Sequence, residues 1–514
     1  MGSSVSTTPP SPPRWGVLAV ASLILLDIAK HALLFLAGLD QPWPDSAGYW
    51  RLGTVVADGD LWMQGPALGY RTPGYPWFLG GVIGLLGTGA GFGTAILVQH
   101  IAAIATDFIV GWWTWRLTGS RRAALLAGIW MALSTARPLY ANWVLTESLA
   151  TLLLTLAAFL VWSNRPPASG RLVAAALAAG IGILIRPSLL VLIPVLGLAS
   201  LADGWRRPAS VGKRLAYASI PLVIVLAIMA PWCERNRQLF GRWALLTFTG
   251  RELWTANFSP WPGAGLDIPT EGPAEELHRR LAVAVSSVDL RHNTGVAAAL
   301  IRSGLTDAEA DRLMERVARQ AILREPGRSI VHTAARMGTF WYCKEYPPPP
   351  AVESAEQDGF ARYPQPRFPA VSWLSKAILA WGPERTFLFT WIVSGLTWLG
   401  IAVCLLGPPR SAPAHSDPAR FPSPIPSTDA VSPPATQETR RAGWIIGLIL
   451  AGTTFLTALL EIPLYRYRLP LEPLGVVAIV VGAMAFRSRF RAGTGLPSRT
   501  PGVPLGQDKP SPVH

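Results

Sequence analysis

Long apolar stretches recur along the chain, and the loops between them fall into two kinds. One kind is basic and otherwise featureless. The other carries acidic and basic side chains directly against the ends of the apolar stretches. A charged residue beside a bilayer core is costly to place and is usually functional, so this one-sided distribution predicts a site at one membrane face. The residues concerned are Asp45, Arg71, Glu147, Glu234, Arg235, Arg466 and Arg468.

The length of the apolar stretches sets the fold class, because a helix needs about 20 predominantly apolar residues to cross a bilayer. Residues 15–37 are too long for a signal-peptide core and lack a convincing cleavage site, so we expect a retained first helix. The chain is predicted to be an all-α polytopic membrane protein. The other predicted spans are residues 94–116, 121–138, 147–163, 171–186, 187–202, 213–231, 385–406, 442–460 and 470–486.

Composition excludes a soluble globular protein. Half of the residues are apolar and 15% are charged, whereas soluble proteins have about 25% charged residues. The net charge of +14 lies in short loops between apolar stretches, where the preference of cytoplasmic loops for Lys and Arg explains it. No basic stripe lies on a polar domain, so nucleic acid is not expected as a partner.

The basic loops predict the orientation of the chain. If the predicted spans alternate in direction, every basic loop and both termini fall on the cytoplasmic side. The chain is therefore expected in the plasma (inner) membrane, with its candidate site facing the periplasm or the cell exterior. The loops are Arg116/Arg121/Arg122, Arg165/Arg171, Arg206/Arg207/Lys213/Arg214, Arg410 through Arg441, and Arg487/Arg489/Arg491.

The apolar run from Pro76 to Leu86 is shorter than a full crossing requires. If it crossed the membrane, every later basic loop would lie outside. We therefore predict a juxtamembrane or re-entrant helix. The alternative is a short true span together with one misassigned neighbour.

The predicted organisation separates two outer regions from the membrane spans. A polar helical stretch over 307–324 is followed by a more apolar one over 329–342, which could lie along the membrane surface. The predicted segments are a cytoplasmic tail (1–14), a membrane module (15–232) with its first outer loop (38–93), an outer region (233–384), a span (385–407), a Pro-rich disordered cytoplasmic linker (408–441), a membrane hairpin (442–487) and a cytoplasmic tail (488–514).

Several kinds of chemistry have no signature in the chain. Its three cysteines form no CxxC pattern, and the pairing of Cys233 with Cys343 on the outer side stays open. No P-loop, GxSxG or GxGxxG motif is present. Any energy-rich substrate is therefore expected to arrive already in the membrane.

Five blocks, in order, resemble the GT-C glycosyltransferases, in particular the branch with protein O-mannosyltransferases and the lipid A aminoarabinose transferase. The resemblance covers roughly residues 15–490. It implies a bundle of about 10–12 transmembrane helices, with juxtamembrane helices in the first outer loop and a small outer region between later spans. The blocks are Asp45-Ser-Ala-Gly-Tyr49 with Arg71-Thr-Pro-Gly-Tyr-Pro76; Leu145-Thr-Glu147-Ser-Leu149; Ile185-Arg-Pro187; Pro231-Trp232 with Arg235-Asn236 and downstream Gly250, Leu253 and Asn257; and Tyr465-Arg-Tyr-Arg-Leu-Pro470.

The resemblance implies transfer of a sugar from a polyprenyl-phosphate donor to a glycan, lipid or protein. Asp45 takes the position of the family's first-loop acid, with a role as general base or in orienting the acceptor. The competing interpretation is an ordinary helix N-cap. Glu147 is the second catalytic candidate, although a carboxylate in a first helical turn also favours the helix dipole.

Arginines are expected to bind the donor phosphate, because guanidinium groups match phosphate oxygens. The candidates are Arg466 and Arg468, with Arg71 and Arg235 as weaker ones, whereas Arg186 could equally cap backbone carbonyls. An interfacial aromatic belt with snorkelling arginines is the alternative for the 465–468 segment. The expected substrate-lining tyrosines are Tyr49, Tyr75, Tyr465 and Tyr467.

The sequence leaves open whether the protein uses a metal cofactor and whether it is a transporter. Many relatives have two adjacent acids where this chain has Asp45 and Ser46, so no metal ligand is assigned and a divalent cation, Mg²⁺ or Mn²⁺, remains an option. In the first span, Asp27, Lys30 and His31 share a helical face and can neutralise one another. A proton relay there would suit a transporter or flippase of a lipid-linked sugar. The oligomeric state is not predicted.

Overall fold

The protein is described by a computed structural model. It describes residues 14–38, 43–65, 69–162, 169–205, 210–259, 265–284, 289–343, 368–381, 386–406, 436–460 and 464–493. In these ranges, all regular structure is helical and no strand occurs, which confirms the predicted all-α fold.

Nineteen α-helices follow one another in the described part of the chain. Three short 3₁₀ turns lie at Pro187–Val191, Pro369–Val371 and Leu469–Leu471. The helices are α1 (Arg14–Ala37), α2 (Pro44–Ala57), α3 (Gly74–Thr118), α4 (Arg121–Leu133), α5 (Ala136–Tyr140), α6 (Glu147–Val161), α7 (Ser169–Ile185), α8 (Leu192–Trp205), α9 (Val211–Phe240), α10 (Thr249–Phe258), α11 (Pro273–Ala284), α12 (Asn293–Arg302), α13 (Asp307–Arg324), α14 (Pro326–Tyr342), α15 (Ser372–Trp381), α16 (Phe387–Leu406), α17 (Thr436–Leu460), α18 (Tyr465–Arg468) and α19 (Glu472–Gly493).

Seven of the described helical segments are long and apolar enough to cross a membrane, which makes this a multi-pass membrane protein. They contain α1, α3, α8, α9, α16, α17 and α19. The other predicted spans coincide with the shorter helices α4, α6 and α7. The predicted stretches 121–138 and 187–202 are each divided between two helical segments, since α5 follows α4 and a 3₁₀ turn precedes α8.

The segment from Pro76 to Leu86 forms one arm of a helical hairpin within α3. Gly87 has a φ of 74°, a left-handed conformation that favours glycine, and the chain folds back at this point. A Cβ atom built on Gly91 would be 3.2 Å from the Cα atom of Ile83. Tyr75 donates a hydrogen bond to Gln99, and these two residues are equally far from Gly87 along the chain. Residues 74–86 therefore return beside the next segment, and the juxtamembrane or re-entrant placement of this helix stays a prediction.

The last helix, α19, packs against helices from both halves of the chain. Helix α19 packs against α3, α4 and α6 of the first half and against α16 and α17 of the second. Of its most apolar 18-residue window, 72% is buried, the highest share among the seven candidate spans. Since only the Leu469–Leu471 turn separates α18 from α19, this packing places the 465–468 segment beside Asp45 at the start of α2.

Helices α10 to α13 form a small unit with a hydrophobic core of its own, centred on residues such as Trp254, Leu277 and Val317. Glycine is required at position 250, because a Cβ atom there would lie 2.0 Å from the carbonyl oxygen of Asp311. The Asp311 carboxylate accepts hydrogen bonds from the backbone N–H groups of Gly250 and Arg251 at the start of α10. This contact ties α13 to α10.

Charged residues in the first spans are paired internally. Lys30 forms an ion pair with Asp27 at 2.8 Å, as their spacing predicts, and also donates to the Ala132 carbonyl near the end of α4. Arg137 pairs with Asp107. His31 instead contacts His100, with 2.8 Å between their Nδ1 atoms. The charges are thus held near neutrality, which lowers the cost of burying them in the membrane.

The structure also bears on the predicted linker, the predicted surface helix and the cysteines. Most of the predicted linker 408–441 lies outside the described residues, and its last six residues belong to α17. The predicted apolar stretch 329–342 lies in α14, which packs against α16 and α17. The three cysteines are buried and free, so Cys233 and Cys343 are not paired.

Candidate active site

Asp45 lies where the start of α2 meets α18, near the end of the chain. It follows Pro44 in the first turn of α2, and proline is well tolerated at that position because it needs no N–H partner. Its Oδ1 atom accepts a hydrogen bond from Arg71 at 3.0 Å. Its Oδ2 atom accepts one from Arg466 at 2.5 Å. One carboxylate therefore bridges two arginines that are far apart in the sequence.

Electrostatics favour the charged forms in this group. Burial acts to raise the pKa of Asp45, but the Arg466 and Arg71 guanidiniums outweigh it and hold that pKa well below its usual range. Burial acts to lower the pKa of Arg71, but Tyr49 and Asp45 reverse the effect and raise it. All three groups are ionised at neutral pH.

A second ion pair lies beside the first. Glu147 begins α6 and is almost completely buried, with 1% of its surface exposed. Its Oε1 atom is 2.9 Å from Nη1 of Arg186, the residue that follows α7. The same Nη1 atom donates to the Thr146 hydroxyl at 2.8 Å. Arg186 therefore fixes the start of α6, and the sequence-based alternative of carbonyl capping does not describe its contacts.

Tyr467 connects the two ion pairs. The Arg186 guanidinium lies 5.2 Å from the centre of its ring and the Arg466 guanidinium 5.1 Å from it. Arg466 also donates to the Tyr467 hydroxyl at 3.2 Å. Cation–π contacts of this kind are stronger where water is excluded. We call Asp45, Arg71, Glu147, Arg186, Arg466 and Tyr467 the arginine–carboxylate cluster.

Aromatic and small residues complete the surroundings of the cluster. The Arg71 guanidinium lies 4.0 Å from the centre of the Tyr49 ring, one turn after Asp45 on α2. Position 48 has room only for a small residue, since a Cβ atom there would be 3.3 Å from Nη2 of Arg71. The Trp43 ring lies 5.5 Å from the Arg466 guanidinium.

The cluster carries more positive than negative charge. Three arginines, Arg71, Arg186 and Arg466, face the two carboxylates of Asp45 and Glu147. The Nε atoms of these arginines are buried, and none has a hydrogen-bond partner among the described residues. The excess positive charge of the guanidinium groups favours an anion such as a phosphate.

The carboxylates of the cluster do not suit a divalent cation. Both oxygens of Asp45 are bonded to arginines, and the oxygens of Glu147 contact Arg186 and Thr146. Among the described residues, the single group with metal-ligand geometry is Asp27, His31 and Asp107. That group lies in the α1–α3 membrane region, where Lys30 and Arg137 already neutralise its carboxylates. We therefore assign no reaction step to Mg²⁺ or Mn²⁺.

Arg468 and Arg235 lie apart from the cluster. Arg468 donates to the Trp341 carbonyl at 2.5 Å, and its guanidinium lies 4.8 Å from the Tyr465 ring. Tyr465 in turn donates to Glu472. Arg235 donates to the Trp62 and Met63 carbonyls at 2.9 and 2.6 Å and so holds the loop after α2.

The remaining predicted tyrosine, Tyr75, is fully buried. Its hydroxyl bonds to Gln99, and its ring packs edge-on against Tyr49 at 5.0 Å. The structure thus brings together Asp45, Arg71, Arg466, Glu147, Tyr49 and Tyr467 of the predicted residues. The sequence left Arg186 between a site role and carbonyl capping, with the Ile185-Arg-Pro187 block as its signal, and it gave no signal for Trp43.

Comparison with known proteins gives distant structural similarity. No family model and no curated protein matches the chain. ArnT from Cupriavidus metallidurans, bound to undecaprenyl phosphate, is 15% identical, with 94% of this chain and 79% of that chain covered at a TM-score of 0.38. The archaeal oligosaccharyltransferase AglB from Archaeoglobus fulgidus, in complex with an inhibitory peptide and a dolichol-phosphate, is 12% identical, with 94% and 51% covered at a TM-score of 0.42. The chain spans about half the length of AglB. Because these TM-scores are low, the function proposed below rests on the chain's own side chains.

Proposed function

We propose that the protein is an integral-membrane glycosyltransferase that uses a sugar linked to polyprenyl phosphate. The observation that carries this proposal is the bridging of Asp45 by Arg71 and Arg466 within a cluster of excess positive charge. The reaction needs a carboxylate near the acceptor hydroxyl and cations near the departing phosphate. The cluster supplies both in one place, beside apolar helices that can accommodate a lipid chain.

In this proposal, Asp45 occupies the position of the donor phosphate until the donor binds. The phosphate competes for Arg71 and Arg466, which form charge-assisted hydrogen bonds with either anion. Asp45 then loses part of the attraction that keeps its pKa low and becomes a better proton acceptor. Binding of the donor and activation of Asp45 are therefore coupled.

The transfer step follows from this arrangement. The acceptor hydroxyl oxygen forms a bond to the anomeric carbon of the sugar. The bond from that carbon to the phosphate oxygen breaks, and its electron pair stays on the phosphate, where Arg71 and Arg466 stabilise the charge. The hydroxyl proton passes to Asp45. Arg186, held by Glu147, adds positive charge on the other side of Tyr467.

We place this reaction at the outer face of the plasma (inner) membrane, since the basic loops favour the cytoplasmic side. The donor is a hexosyl or pentosyl polyprenyl phosphate, and the acceptor is a hydroxyl group of a glycan, lipid or protein. No step of the proposed reaction is assigned to a metal ion, and Glu147 stays bonded to Arg186 throughout.

A reconstitution experiment tests the proposal. Purified protein in liposomes is given a synthetic short-chain prenyl-phosphate sugar together with extracted cell-envelope acceptors, and transfer of labelled sugar is measured. We expect labelled product without added nucleotide, and with EDTA present. Movement of the labelled lipid between leaflets without product would instead favour a flippase and would overturn the proposal.

A further inference from the structure

Two arms of the chain meet at the arginine–carboxylate cluster, and they approach it from different helices. The first, called the Arg71 arm, is the segment 71–75, which runs from Arg71 into the start of α3 at Tyr75. The second, called the Glu147 arm, is the loop 141–146, which leads from α5 to Glu147 at the start of α6. Reaction geometry depends on the distance between the arms, so a group that contacts both would set that distance.

Gln99 contacts both arms. It is fully buried on α3, opposite Tyr75 across the Gly87 hairpin. Its Oε1 atom accepts a hydrogen bond from the Tyr75 hydroxyl at 2.6 Å. Its Nε2 atom donates to the Ala141 and Trp143 carbonyls at 2.9 and 2.8 Å. One side-chain amide therefore bonds to the Arg71 arm through its oxygen and to the Glu147 arm through its nitrogen.

The residues that Gln99 bonds to are connected to the cluster by contacts between aromatic rings. On one side, the Tyr75 ring packs edge-on against Tyr49, whose ring lies under the Arg71 guanidinium. On the other side, the Trp143 ring packs at 5.2 Å from Trp43, which faces Arg466. Buried loops such as 141–146 need partners for their carbonyl groups, because membrane interiors supply no water.

We propose that Gln99 is a positioning residue that fixes the Asp45–Arg71 group relative to Glu147 and Arg186. This inference rests on the proposed function, since it assigns Gln99 a part in that reaction. A glutamine is suited to this task, because its amide accepts on one side and donates two hydrogens on the other. The hydrogen bonds of Gln99 go to Tyr75 and to the 141–146 loop, so its effect on rate is exerted through them.

The test compares three variants with the wild-type protein in the prenyl-phosphate sugar assay. Gln99→Met keeps the volume but removes every hydrogen bond of the amide. Tyr75→Phe removes the hydroxyl that bonds to Gln99 and leaves the bonds from Gln99 to the loop in place, which guards against simple misfolding. Thr106→Val is the matched control, since Thr106 is a buried residue of α3 whose hydroxyl bonds only within its own helix.

We expect kcat to fall about tenfold in Tyr75→Phe and further in Gln99→Met, while the donor KM stays within about twofold. The double variant Gln99→Met/Tyr75→Phe should have the same kcat as Gln99→Met alone or a higher one, because both substitutions break the hydrogen bond between Tyr75 and Gln99. Thr106→Val should keep the wild-type kcat. Wild-type kcat in Tyr75→Phe, or equal losses in Thr106→Val, would reject the positioning role while leaving the proposed function intact. Absence of transfer by the wild-type protein would reject both.

Discussion

The Oδ2 atom of Asp45 lies 2.5 Å from Nη1 of Arg466, although 421 positions separate the two residues in the chain. This ion pair connects the start of α2 to the segment before the last helix. It depends on the packing of α19 between the two halves of the bundle. The site is therefore complete only when the whole membrane domain is assembled.

Arg466 and Arg468 are expected to respond differently to substitution. Arg466→Ala removes a charge-assisted contact worth about 1.5–3 kcal/mol, which corresponds to roughly a 10- to 150-fold loss in kcat/KM for the donor. Arg466→Lys should restore only part of it, because an ammonium group cannot form a bidentate fork. Arg468→Ala should lower thermal stability while leaving the donor KM near that of the wild type, because Arg468 bonds to the Trp341 carbonyl.

Steady-state kinetics with varied donor, together with melting curves in detergent, separate these effects. Equal increases of the donor KM in Arg466→Ala and Arg468→Ala would show that both arginines bind phosphate. An unchanged donor KM in Arg466→Ala would remove this residue from the phosphate site.

The buried pair of Glu147 and Arg186 should behave as a unit. Arg186→Gln leaves a buried carboxylate without its charged partner, and breaking a buried ion pair in this way costs about 3–5 kcal/mol. The double variant Glu147→Gln/Arg186→Gln removes both charges and should be more stable than Arg186→Gln alone. The melting temperatures of the single and double variants measure this coupling, and simple additivity would contradict it.

The predicted pH dependence follows from the lowered pKa of Asp45. A carboxylate with a lowered pKa in the folded state contributes stability above its unfolded pKa of about 3.9, and that stability is lost as the pH falls through the folded value. The stability difference between wild-type protein and Asp45→Asn should therefore be constant from about pH 5 to 8 and shrink below about pH 4.

Catalysis should show a related difference between the free enzyme and its donor complex. The acid limb of kcat/KM reports the free enzyme and that of kcat the complex. If the phosphate draws Arg71 and Arg466 away from Asp45, the acid limb of kcat should lie at higher pH than that of kcat/KM. Coincident limbs would argue against displacement of Asp45 by the donor.

The sequence predicts the helices of the bundle well, because length and apolar character decide which segments enter a membrane. The parity of the basic loops also predicts that Pro76 to Leu86 makes no separate crossing. The hairpin at Gly87 could not be read from that pattern, since Gly84 and Gly89 nearby are equally plausible turn positions.

Side-chain partners were harder to predict. The alternation of tyrosine and arginine in 465–468 suggested that Arg466 and Arg468 act together. The structure makes this segment one helical turn, in which successive side chains point roughly 100° apart and residues three apart share a face. Arg468 therefore shares a face with Tyr465, and Arg466 points to Asp45. The pairing of Arg186 with Glu147 depends on tertiary packing that no local pattern encodes.

The orientation of the chain is tested by thiol labelling. Single cysteines are introduced in a background without the native cysteines. On the predicted outer side they replace the exposed residues Asp58 and Asp289. On the predicted cytoplasmic side they replace the exposed residue Arg122 and, in the predicted linker, Ser427. An impermeant reagent should label the first two positions in intact cells and the last two only after permeabilisation. Labelling of Arg122→Cys in intact cells would place the candidate site in the cytoplasm.

In the proposed reaction, Asp45 takes part directly in sugar transfer from a polyprenyl phosphate. The most direct test measures turnover of a synthetic prenyl-phosphate sugar by purified wild-type protein, by Asp45→Asn and by Asp58→Asn, an exposed carboxylate at the end of the same helix. Asp45→Asn should lose about 100-fold or more in kcat, because general-base catalysis contributes about that much, while remaining folded. Asp58→Asn should match the wild type. Activity of Asp45→Asn within a few-fold of the wild type would contradict the account.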